Sequence, residues 1–110
     1  MLSLERSGYF QMPTAIQRKL TTVLAADAAG YSRRMETDEI GTLTELRASR
    51  SVFVKLIERH NGRVANTAGD GLIAEFPSVV EAVQCALEVQ RELADMPHDH
   101  AQLRYRIGIH

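Results

Sequence analysis

Apolar residues change their spacing several times along this chain, and each change marks an element. Residues 19–26, KLTTVLAA, form a nearly continuous apolar run around Leu20, Val23 and Leu24, with a threonine pair, which predicts a central β-strand. Asp27 ends that run. Ala28, Ala29 and Gly30 follow, small residues that leave the backbone amides open in a turn leading into a helix. Thr37 or Asp38 can cap a long helix whose Ile40, Leu43, Leu46, Phe53, Leu56 and Ile57 fall near a 3.6-residue period. His60, Asn61 and Gly62 stop it, because Asn or Gly accepts the left-handed cap conformation.

The next stretch, GRVANTAGDGLIAEF, reads as two short strands with a tight turn at Asp70-Gly71, loosened further by Gly69. Val64 and Ala65 lie on its first arm, Leu72, Ile73 and Phe76 on its second, and Pro77 closes it. Ser78 and Glu81 form a capping box that opens a second helix. Val79, Val83, Ala86, Leu87 and Leu93 are expected on its inner face, and Met96-Pro97 ends it. Leu103, Tyr105, Ile107 and Ile109 alternate with Gln102, Arg104 and Arg106, which predicts a half-buried strand. Residues 1–16 show no period and are expected to be a disordered leader, with 17–110 as the domain.

The element order is therefore strand, helix, strand, strand, helix, strand. That is an α+β, ferredoxin-like βαββαβ plan. Right-handed crossovers give an antiparallel sheet in the order 4-1-3-2. In that sheet the end of strand 1 and the turn after strand 2 share one edge. Asp27 and Asp70 occupy those two places.

Composition narrows the chemistry. The chain has 110 residues, 45% apolar and 25% charged, with a net charge of -1. This suits one globular domain and gives no electrostatic case for nucleic acid or anionic membrane. The basic residues Arg47, Arg50, Lys55 and Arg59 sit off the helical stripe and read as a solvated face. No apolar run is long enough to span a membrane. A single cysteine, Cys85, cannot close an internal disulfide and suits a reducing compartment, here the cytoplasm. The tract His98-Asp99-His100 has metal-ligating residue types, but adjacent loop positions diverge and no distant ligand is apparent.

Two close carboxylates repel, and a divalent cation resolves the conflict. Hard oxygen ligands suit Mg²⁺ or Mn²⁺, which is held by one or two carboxylates plus substrate phosphates. An open backbone after Asp27 could receive those phosphates. The residues alone point to metal-dependent phosphoryl chemistry on a nucleotide. The rival is a ferredoxin-like binding module with incidental surface aspartates.

Three separated blocks, LAADAAGYSRRM, NTAGDGLIAEFPSVVEAVQCALEVQREL and RYRIGIH, resemble the N-terminal part of a class III nucleotide cyclase catalytic domain, most like bacterial adenylate cyclases. The resemblance covers about residues 18–110. It implies conversion of ATP to cyclic AMP and pyrophosphate, with Asp27 and Asp70 as catalytic ligands of two Mg²⁺ or Mn²⁺ ions. It implies a further metal contact at Ala28 and backbone contacts to the triphosphate from Ala28, Gly30, Tyr31, Ser32 and Gly69. It also implies a homodimer, since sites in this family form between two domains. ATP-specific members carry lysine where this chain has Asn66, and GTP-specific members tend to carry glutamate. Asn66 can donate and accept hydrogen bonds to a purine but fixes neither base, so GTP stays open beside ATP. The family's transition-state Asn and Arg lie past the last strand, so this stretch, truncated at its C-terminus, is expected to turn over little substrate. The alternative within the same fold is a non-catalytic dimerisation or nucleotide-binding module. A cyclic-dinucleotide synthase fits less well, because its hairpin reads Gly-Gly-Asp/Glu-Glu-Phe.

Overall fold

A computed structural model describes residues 21–98 and 102–110. The leader assigned to 1–16, Leu20, and Asp99 and His100 of the candidate metal tract lie outside the described residues. The elements are β1 (Thr22–Ala28), α1 (Tyr31–Thr37), α2 (Glu39–Arg59), β2 (Arg63–Ala68), β3 (Gly71–Phe76), α3 (Val79–Asp95) and β4 (Tyr105–Ile109). The sheet runs β2-β3-β1-β4 with every pairing antiparallel, which is the predicted 4-1-3-2 order read from the other edge. The seven-residue α1 is an addition to the six predicted elements.

Alternation decides which side of β1 is core. Thr22, Leu24, Ala26 and Ala28 are buried, and the residues between them are half-exposed. Leu24, Ala26, Leu72, Ala74 and Phe76 pack against Val52, Phe53, Leu56 and Ile57 of α2 and against Ala82, Cys85, Val89 and Leu93 of α3. Tyr105, Ile107 and Ile109 of β4 join that core from the edge. Burial of these apolar groups is the main stabilising term. Both long helices thus cover one face of the sheet. Ala25, Asp27, Ile73, Arg106 and Gly108 point to the other.

Three expectations need correcting. β1 runs two residues past Ala26, so Asp27 lies inside the strand and not beyond it. On α2, Ile40 is exposed and the buried stripe is Thr42, Glu45, Ser49, Val52, Phe53, Leu56 and Ile57. Polar groups enter that stripe because they have partners. Ser49 donates to the Glu45 carbonyl at 2.8 Å, and the Glu45 carboxylate meets His98 Nδ1 at 2.6 Å. On α3, Val79, Val83 and Leu87 are exposed while Ala82, Cys85, Val89 and Leu93 are buried. The helix is apolar on two sides, and small residues take the sheet side because they allow close approach. Burial pushes the Cys85 thiol up to about 11.

Helix boundaries follow the predicted caps. The Asp38 side chain accepts from Gly41 N at 3.0 Å. Asn61 takes the left-handed conformation with φ of 65° at the end of α2. Ser78 accepts from Glu81 N at 3.2 Å, but the Glu81 carboxylate accepts from Asn61 Nδ2 at 3.0 Å. The capping residue pair therefore also ties the end of α2 to the start of α3.

Candidate active site

The site is built at one end of the sheet, where β1 and β4, the β2–β3 turn and the start of α1 converge. The hairpin turn is Gly69-Asp70, since Ala68 pairs with Gly71. This corrects the expected Asp70-Gly71 turn by one residue. Gly69 has φ of 56° and no other residue of the turn is left-handed, so positive φ falls on the first turn position, as in a II′ hairpin. Gly71 then belongs to β3, where a Cβ would sit 3.2 Å from the Ala68 carbonyl oxygen.

Asp70 falls opposite Ala28, two steps past the Ala26–Leu72 pair. Its carboxylate Oδ2 accepts the Ala28 amide at 2.8 Å. Asp27 is the neighbouring residue on the same strand. The two aspartates are therefore brought together at one rim, and both line one concavity with Ala28, Gly30, Tyr31 and Ser32. That contact also corrects the expected open backbone. The Ala28 amide is taken by Asp70, and the Ala29 amide donates to the Arg104 carbonyl at 2.7 Å. Among the described residues, no hydrogen bond of the turn engages the Gly30, Tyr31 or Ser32 amide. Gly30 adopts φ of 69° as N-cap of α1 and offers no side chain, so no side chain caps the first turn.

Arg106 was missed as a site residue. It stands directly opposite Asp27 in the β1–β4 ladder, and its Nε donates to Asp27 Oδ1 at 2.8 Å. The hydrogen bond and charge of Asp27 hold the Arg106 guanidinium above its ordinary value. The pair is half in water, with Arg106 71% and Asp27 48% exposed. Alternation along β4 placed Arg106 on the polar face. Only the strand register reveals which residue it meets.

Asn66 reaches the same open face through a bulge. Val64 pairs with Ala74 and Asn66 with Ile73, so Ala65 is the extra residue. In a regular strand Val64 and Asn66 would share a face. Here Val64 packs on the core while Asn66 lines a second concavity with Ala25, Asp27, Ile73, Arg106 and Gly108.

The donor set can be weighed for metal. It holds two carboxylates, and among the described residues no group of three or more His, Cys, Asp or Glu could hold an ion. Asp70 keeps Oδ1 free of the Ala28 bond, and Asp27 keeps Oδ2 free of Arg106. Two carboxylate oxygens with room for outside ligands fit Mg²⁺ or Mn²⁺ completed by phosphate and water. His98, by contrast, spends both ring nitrogens, one on Glu45 and the other on the Leu93 carbonyl at 3.0 Å.

Among the described residues no helix is long and apolar enough to cross a membrane. No family model matches the chain. A Rhizobium meliloti protein named "Putative adenylate cyclase 3" is 45% identical over 100 residues, which is 86% of this chain and 17% of that protein. A crystal structure of an adenylate/guanylate cyclase/hydrolase from Silicibacter pomeroyi is 37% identical, with a TM-score of 0.67 over 81% of this chain and 54% of that one. An adenylate cyclase of Trypanosoma brucei shares the fold at 16% identity, with a TM-score of 0.78 over 82% of this chain and 55% of that one. The chain thus spans about half of each of these two solved structures and 17% of the curated relative.

Proposed function

Because the chain resembles part of a class III adenylate/guanylate cyclase catalytic domain in sequence and in fold, we propose that it supplies the metal-binding half of a site converting ATP to cyclic AMP and pyrophosphate. The observation that carries this is the convergence of Asp27 and Asp70 on one rim, joined through the Ala28 amide. Two Mg²⁺ or Mn²⁺ ions held there would neutralise the triphosphate and favour attack of the ribose 3′-hydroxyl on the α-phosphorus. The 3′-oxygen forms the new bond, the bridge to the β-phosphate breaks, and the hydroxyl proton leaves to solvent.

The chain's own groups have distinct tasks. Asp27 and Asp70 give oxygen ligands. The Ala28 amide fixes the Asp70 carboxylate through one oxygen and leaves the other for an ion. Amides of Tyr31 and Ser32 at the α1 start, with backbone at Gly30, would take the phosphates in the Asp27–Asp70 concavity, whose lining does not include the expected Gly69. Arg106 balances Asp27 until an ion arrives and is then a free cation beside the triphosphate. Asn66 faces the purine and leaves ATP favoured only by resemblance, with GTP as competitor. The sheet face away from α2 and α3, with Ile73 40% exposed, is where a second copy would complete a homodimer. A cytoplasmic location accords with the lone reduced cysteine.

The test is calorimetric titration of Mn²⁺ with ATP into the chain. Asp27→Ala and Asp70→Ala should each weaken binding by about tenfold or more. Wild-type affinity in either variant overturns the reading. One observation favours a second reading. The Asp27–Arg106 pair neutralises one of the two carboxylates without metal, which suits a nucleotide-binding module without turnover. Cyclic AMP production by a version extended at its C-terminus, lost in Asp27→Ala, separates the two.

A further inference from the structure

Arg50 lies midway along α2, on the side expected to be a plain solvated face. Its Nη2 instead donates to the Gly69 carbonyl at 3.0 Å, across 19 residues of sequence. That carbonyl belongs to the peptide immediately before Asp70. The turn is therefore held from both sides: Arg50 fixes the peptide plane entering Asp70, and the Ala28 amide takes the carboxylate leaving it. Gly69 needs such a hold. It has φ of 56°, and no atom lies within 4 Å of where its Cβ would be, so packing does not orient it. A two-residue turn without side-chain packing can rotate its central peptide, and rotation would swing Asp70 away from β1.

We infer that Arg50 is a positioning residue that orients the Gly69-Asp70 peptide and so keeps the Asp70 carboxylate on the Ala28 amide, aimed at the metal concavity. The part concerning metal rests on the proposed cyclase reading; the part concerning Asp70 geometry does not. A planar guanidinium suits the task because it directs its N–H groups in a fixed fork. Its charge acts in the opposite sense on an incoming cation, which it repels. Loss of Arg50 therefore combines two opposed effects: lost geometry loosens Asp70, and lost repulsion favours metal.

Two readouts divide them. The first is amide hydrogen exchange at Ala28, followed by NMR in the wild type, Arg50→Ala, Arg50→Lys and Arg47→Ala. Arg47 is an exposed residue of the same helix and serves as the control. The second is Mn²⁺ affinity measured on the same four proteins. Arg50→Ala should speed Ala28 exchange by about three- to tenfold, the range for one net hydrogen bond, and should weaken Mn²⁺ binding. Arg50→Lys should recover part of the protection, and Arg47→Ala should match the wild type in both. Unchanged Ala28 exchange in Arg50→Ala overturns the inference, whatever Mn²⁺ does. If the wild type binds no Mn²⁺, the metal reading fails, and the exchange result still decides the role of Arg50.

Discussion

Arg106 and Asp27 stand directly opposite each other in the β1–β4 ladder and share a 2.8 Å hydrogen bond on the side of the sheet away from α2 and α3. A cation thus already occupies one oxygen of the carboxylate proposed to bind metal. Any ion arriving at Asp27 competes with a guanidinium tethered one strand away.

Removing that competitor should help bare metal. Arg106→Ala is expected to raise Mn²⁺ affinity in the absence of nucleotide by a factor of a few, because the pair is largely solvated and weak. The gain should shrink at high salt, where the wild-type pair is already screened. Mn²⁺ titration followed by electron paramagnetic resonance checks it. Weaker binding in the variant would mean that Arg106 orders the site instead of blocking it.

A second prediction concerns His98 and Glu45. Hydrogen bonding to the Leu93 carbonyl, then to Glu45, raises His98 above its ordinary value of 6.5. A folded-state value above the unfolded one stabilises the protonated protein. The contribution is complete below about pH 6.5 and is lost as pH rises through the raised folded value. Urea midpoints of wild type and His98→Gln should differ most in mildly acidic buffer and converge towards alkaline pH. A gap that widens with pH would contradict the assignment.

Gly62 faces a sharper constraint. A Cβ there would sit 2.6 Å from the Phe76 ring and 2.9 Å from the Glu75 carbonyl oxygen. Phe76 is 1% exposed and has nowhere to retreat. Gly62→Ala should cost about 1–3 kcal/mol, the range for overpacking. Denaturant unfolding gives the value, and a neutral result would show that the β2 entry can shift.

The two faces of α3 offer a matched comparison. Leu93→Ala removes a side chain 3% exposed and should cost about 2–5 kcal/mol. Leu87→Gln changes one that is 60% exposed and should stay within about 0.5 kcal/mol. Equal losses at both sites, measured by the same unfolding curves, would require Leu87 to be covered in solution.

The sequence made the strand order readable because the period changed cleanly between elements and crossovers have one hand. The aspartate pair followed from that order. Other features were hidden for identifiable reasons. The extra helix α1 is too short to display a period. The inner face of α3 was misread because Val79, Val83 and Leu87 form an apolar stripe as regular as the true one. Ala82 and Cys85 carry too little bulk to advertise burial. Glu45 is a charged residue on the buried stripe of α2, and its partner His98 lies far along the chain, where no local pattern points to it. The Arg106 and Arg50 contacts depend on register and reach across the fold, which no local pattern encodes. The bulge at Ala65 likewise leaves no mark that a single sequence can display.

The sealed thiol of Cys85 has a practical corollary. It is the chain's one cysteine, it is buried, and little of it ionises near neutrality. Maleimide dyes should find almost nothing to react with. A cysteine engineered into an exposed loop would then be tagged alone, opening the protein to single-label fluorescence without first rebuilding its interior.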